Sequence, residues 1–63
     1  MASHTFKTVY DASEFSRAIN GWGSKRNNGN IIAFRNGCTV SLRPEFTSKD
    51  SLREFSYLLQ EYL

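Results

Sequence analysis

Apolar side chains recur along this chain with two different periods, and each change of period marks a new element. From His4 to Tyr10 the residues are mostly β-branched or aromatic. Phe6, Thr8 and Tyr10 fall on one side, with Thr5, Lys7 and Val9 on the other, which predicts a first strand. Asp11 and Glu14 then stand three apart as a capping box, with Tyr10 and Phe15 placed as a hydrophobic staple around it. Phe15, Ala18, Ile19 and Trp22 follow at the i, i+3, i+4, i+7 spacing that gathers side chains into one helical stripe, and Gly21 and Gly23 suit the end of that helix.

The stretch from Gly21 to Asn30 contains almost every turn-forming residue type, which predicts a basic loop over 21–30. Its one apolar side chain, Trp22, completes the helical stripe and is expected to close the core beneath the loop. Ile31–Arg35 and Cys38–Leu42 flank Asn36-Gly37, the dipeptide best suited to a two-residue turn with both residues at positive φ, so a β-hairpin is expected over 31–42. That turn would pair Phe34 with Thr39, Ala33 with Val40, Ile32 with Ser41 and Ile31 with Leu42. Directly opposed residues share a face. Ile31, Ala33, Cys38, Val40 and Leu42 are therefore expected inward, with Arg35 at their rim, and Ile32, Phe34, Thr39, Ser41 and Arg43 outward. Pro44 ends the hairpin, because it biases Arg43 away from helix and cannot donate to a ladder. Thr47 and Asp50 form a second capping box, ahead of a stripe of Leu52, Phe55, Leu59 and Tyr62 or Leu63.

The resulting order is β-α-β-β-α. Layer packing then predicts an α+β domain over residues 1–63, with a three-stranded antiparallel sheet in the order 1-3-2, a right-handed crossover, and two helices on one face. A chain of 63 residues hides only about 60% of its unfolded surface, which leaves a thin core and no deep pocket. Its 40% hydrophobic content and single proline place it outside the composition of disordered segments. The lone Cys38 excludes an intrachain disulfide and suits a reducing, cytoplasmic setting. The longest apolar run, Ile31 to Phe34, is far too short to span a bilayer.

Charge changes the picture more than composition does. The net charge is only +2, yet Arg17, Lys25, Arg26, Arg35 and Arg43 occupy a segment without one Asp or Glu, and all six acids lie outside it. Chemistry beyond binding finds little support. Cys38 and His4 are the one nucleophile–base pairing of distinct types, but Cys38 is expected on the core side and His4 near a frayed end. One Cys and one His cannot complete a structural zinc site, so no metal is expected. The glycines from Gly21 leave a helix instead of a strand and lack the spacing of a nucleotide loop, so no cofactor is expected either. Asp11, Glu14, Asp50 and Glu54 all fall in first helical turns, where a carboxylate answers the helix dipole.

The sequence therefore points to a non-enzymatic binding module acting on a larger protein or protein complex. Lys25, Arg26, Asn27 and Asn28 would supply cations and amides from the loop, while Ile32, Phe34, Arg35 and Arg43 would form an open hairpin face. Such a chain works by masking, tethering or remodelling what it binds. Its size, with no motif behind it, suggests an inhibitor or accessory factor of viral, phage-like or mobile-element type. An alternative is a module for RNA or single-stranded DNA, with phosphates at Arg17, Lys25, Arg26 and Arg43 and a base stacked on Phe34. A third reading is a homodimer paired through the edge of the second strand, Asn30 to Arg35.

Overall fold

The computed structural model describes residues 2–63. Strand β1 covers Ser3–Thr5, helix α1 Val9–Arg26, strand β2 Ala33–Asn36 and strand β3 Thr39–Leu42. A 3-10 turn over Pro44–Phe46 leads into helix α2, Lys49–Leu59, and a second 3-10 turn over Gln60–Tyr62 follows it. The sheet is antiparallel in the order β1-β3-β2, so the expected α+β fold and strand order are those observed. Core residues come from all of these layers: Phe6, Ala12, Phe15, Ile19, Ile32, Ala33, Val40, Leu42 and Phe55 are buried together.

Helix α1 starts earlier than its sequence suggests. Thr8, in extended conformation, caps it by accepting the Asp11 N–H at 3.1 Å. Val9 and Tyr10 are thereby drawn into the first turn and out of the first strand, and Tyr10 projects into solvent instead of stapling the cap. A threonine cap answered three residues later by Asp11 competes with extension after Phe6, and the cap wins because β1 has only β3 to pair with. The buried positions are Ala12, Phe15, Ile19 and Gly23, so the core-facing stripe is rotated from the expected one and Ala18 is exposed. Trp22 lies half-buried against the core, as expected of it.

Neither Gly21 nor Gly23 ends the helix, and the expected loop over 21–30 shrinks accordingly. The helix continues to Arg26 because Gly23 is its contact point with the sheet. A Cβ there would lie 2.6 Å from Cγ1 and 2.9 Å from Cγ2 of Ile32, with Cδ1 closer still. Termination falls to Asn28 and Gly29, at φ 56° and 84°, where the Gly29 N–H reaches back to the Ser24 carbonyl at 2.8 Å. These environments predict opposite outcomes for one substitution. Gly21→Ala meets nothing within 4 Å and should stabilise the helix by up to about 1 kcal/mol. Gly23→Ala gains the same propensity but overpacks a fully buried isoleucine at a cost of about 1–3 kcal/mol, so its urea midpoint should fall.

In the hairpin the turn residues are Gly37 and Cys38, and of the expected pair Asn36-Gly37 only Gly37, at φ 65°, is left-handed. A turn needing positive φ at its first central residue alone leaves Asn36 in the ladder opposite Thr39. Ala33 consequently faces Leu42, and Phe34 faces Ser41, two residues along from the expected pairing. A shift of two preserves the faces: Ala33, Val40 and Leu42 point inward, and Phe34 points out. Ile31 and Ile32 break the alternation because they precede the strand. Ile32 is fully buried against Gly23 and Ile31 is 56% exposed, so Ile32 belongs to the core and not to the outer face.

Helix α2 is capped by Ser48, which accepts the Ser51 N–H at 3.3 Å, and not by Thr47. The Pro44–Phe46 turn occupies Thr47, whose hydroxyl donates to the Pro44 carbonyl at 3.1 Å. Phe55 is the one large side chain of α2 that is fully enclosed, while Leu52 is 40% exposed.

Candidate binding groove

One strand edge of the sheet is finished by a side chain. β2 has β3 on one side only, and in the observed register Phe34 and Asn36 turn their main-chain groups toward β3. Ala33 and Arg35 point theirs the other way. Asn20, half-buried on α1, takes both groups of Ala33: its Oδ1 accepts the Ala33 N–H at 2.9 Å, and its Nδ2 donates to the Ala33 carbonyl at 3.1 Å. The same Oδ1 accepts the Ile32 N–H at 2.9 Å. A carboxamide thus stands where a neighbouring strand would, and only Arg35 keeps outward-facing main-chain groups along β2.

Beside this clasp lies a shallow groove. Ser16 and Asn20 form its helical wall, and Ile31, Phe34, Arg35 and Arg43 its outer rim. Phe34 and Ile31 are each about half-exposed, so an aromatic ring and an aliphatic side chain reach solvent on a rim that also carries two arginines. Neither guanidinium is idle. Arg35 donates to the Gly37 carbonyl at 2.7 Å, and Arg43 pairs with the Glu45 carboxylate at 3.4 Å in an exposed contact of little energetic weight. Each keeps further donors for a ligand. Past Phe34 the open face of the sheet is hydroxylic, with the Thr5 and Thr39 Oγ1 atoms 2.8 Å apart and Ser3 and Ser41 opposite one another.

The sequence-predicted site residues divide between two places. Phe34, Arg35 and Arg43 meet at the groove. Arg26 and Asn27 are instead fixed at the end of α1, where the Arg26 guanidinium stacks 4.5 Å over the Trp22 ring and donates to the Trp22 carbonyl. Asn27 donates to the Gly23 carbonyl at 2.8 Å as the helix cap. Their recess also holds Glu45 and Asp50, so the positive charge there is locally balanced. Lys25 and Asn28 are exposed in the same region and line neither recess.

Sequence reasoning missed Ile31, Ser16 and above all Asn20. The available signal was an asparagine inside a helix, a position it disfavours unless its side chain has a partner elsewhere.

Other surfaces offer less. Tyr62 donates to Glu14 Oε1 at 3.0 Å, and burial together with that carboxylate pushes its phenol up to about 12. It sits edge-on to Phe6 and Phe15, which gives it a place in the packing. Among the described residues there is no group of three or more His, Cys, Asp or Glu side chains that could hold a metal ion. Nor, among them, is any helix long and apolar enough to cross a membrane. The chain matches no family model, and comparison with curated proteins and with solved structures finds no similar protein.

Proposed function

We propose that this protein is a non-enzymatic binding module that holds an acidic and apolar segment of a larger protein in the groove beside β2. The observation that carries this reading is the convergence of Ile31, Phe34, Arg35 and Arg43 on one open rim. An apolar side chain of the partner would pack between Ile31 and Phe34, its carboxylates would take the unused donors of Arg35 and Arg43, and the free Arg35 main chain would fix an extended backbone. Lys25 and Arg26 would steer encounter without joining the contact. A cytoplasmic setting, where Cys38 remains a thiol, fits the same reading.

A nucleic-acid partner is less favoured, because such ligands follow a continuous basic track and these cations fall into two groups separated by Glu45 and Asp50. Edge-to-edge dimerisation through β2 is less favoured because Asn20 already occupies Ala33.

Selection from a random peptide display library would test the choice. Peptides combining carboxylates with an aromatic or aliphatic residue should be enriched, and Phe34→Ala should weaken the best of them by about 2 kcal/mol, near thirtyfold, while the domain stays folded. Enrichment without acidic character, or affinity indifferent to Phe34→Ala and Arg35→Glu, would remove the groove from the model. Tight binding of a fluorescent single strand at low salt would favour the nucleic-acid reading instead.

A further inference from the structure

Three asparagines in this chain precede glycine, Asn20-Gly21, Asn28-Gly29 and Asn36-Gly37, and all three lie inside the acid-free segment. Such a pair can modify itself. The glycine main-chain nitrogen attacks the asparagine Cγ, a C–N bond forms as the Cγ–Nδ2 bond breaks, and ammonia leaves with the glycine proton. Water then opens the five-membered imide at either carbonyl, giving aspartate or isoaspartate. No oxidant or reductant takes part, and the net change is one amide replaced by one carboxylate. Glycine permits the attack because it has no Cβ to obstruct it.

The fold treats the three pairs differently. Asn20 is immobilised, with Oδ1 accepting two main-chain N–H groups and Nδ2 donating to Ala33, and the Gly21 nitrogen lies within the helical ladder. Asn28 has an exposed side chain, but the attacking nitrogen of Gly29 is bound to the Ser24 carbonyl at 2.8 Å. Asn36 is exposed, and its side chain makes no hydrogen bond among the described residues. Gly37 is a turn residue outside the ladder, and its N–H donates to nothing among the described residues. Only at this corner are both reacting groups free.

We infer that Asn36 is a site of spontaneous conversion to aspartate and isoaspartate, while the folded structure protects Asn20 and Asn28. The consequence falls on the groove. Arg35 already folds its guanidinium over the same turn to the Gly37 carbonyl, so a new carboxylate at 36 places negative charge beside one of the two rim cations. An isoaspartate also lengthens the main chain by one atom where β2 enters the turn. If the proposed binding of acidic segments is correct, conversion weakens it, and the protein carries its own slow timer. The modification itself does not depend on that reading.

Peptide mapping by mass spectrometry after incubation of the intact protein in mildly alkaline buffer tests the inference. The gain of one mass unit should appear first at Asn36, and at Asn20 and Asn28 about tenfold more slowly, since at each a hydrogen bond must open first. In concentrated urea the three pairs should react at similar rates. Equal rates in the folded protein, no change at Asn36, or the same preference for Asn36 in urea would each overturn it. Affinity for an acidic peptide selected on the groove, compared between wild type and Asn36→Asp, then tests the functional consequence: unchanged affinity would refute the timer and leave the modification standing.

Discussion

Phe15→Ala should leave this protein largely unfolded at room temperature. Phe15 has no exposed surface and belongs to the core cluster that α1, the sheet and α2 share. Its ring is 5.0 Å from that of Phe6 beyond β1, 4.9 Å from Phe55 of α2 and 5.8 Å from Tyr62, the last two edge-on. Truncating a buried phenylalanine costs about 3–5 kcal/mol, and edge-to-face pairs add about 0.5–1.5 kcal/mol each, so the upper part of that range applies. A domain of 63 residues has roughly 3–9 kcal/mol in all. One side chain therefore commands about half the stability or more, and no disulfide offsets its loss. Circular dichroism with urea titration should show a collapsed or absent transition for Phe15→Ala. Phe15→Leu, which keeps apolar volume but no ring edges, should fall between. A loss below about 2 kcal/mol for the alanine variant would mean that the aromatic cluster can close over the gap and is not what joins the two layers.

The elements that were legible in the sequence are those fixed by local chemistry and period. Apolar alternation through 33–42 placed Val40, Leu42 and Ala33 inside and Phe34 outside, and that survives a two-residue slip because faces depend on parity. The strand order followed from connection rules and holds. What escaped was decided by contacts between distant residues. Gly23 reads as a helix terminator until Ile32 is found pressed against it. Ile32 reads as an outward strand residue until the strand is seen to begin at Ala33, with the Ile32 N–H turned to Asn20 and its carbonyl accepting the Arg43 N–H at 2.8 Å. Caps shifted by one to three residues for a related reason: Thr8, Asp11, Thr47 and Ser48 are all competent, and tertiary fit chose among them. For the candidate site, Phe34, Arg35 and Arg43 were visible as composition, but their separation from Lys25 and Arg26 required the extra turn of α1 that the glycines seemed to forbid.

The edge of β2 supplies the second large effect. Asn20→Ala should lower stability by about 2 kcal/mol and at the same time promote self-association. The substitution leaves the main-chain N–H groups of the buried Ile32 and Ala33, and the Ala33 carbonyl, without partners. Each such group costs about 1–3 kcal/mol when water cannot replace the bond. The groove lies alongside, so solvent can reach part of the site, and alanine is the better helix former by about 0.5 kcal/mol. Together these bring the net loss to the lower end. Asn20→Asp separates the contributions, because its carboxylate can still accept both N–H groups but opposes the Ala33 carbonyl, so it should lie between wild type and alanine. The association follows from geometry and not from stability: without the carboxamide, Ala33 and Arg35 present consecutive outward rungs of an antiparallel ladder beside the exposed Ile31 and Phe34. Sedimentation velocity across a concentration series should show a larger species for Asn20→Ala than for wild type under conditions where both are folded. Equal sedimentation with reduced stability would mean that Asn20 only fastens α1 to the sheet. Equal stability would mean that water replaces the clasp completely, and the edge would then need some other guard.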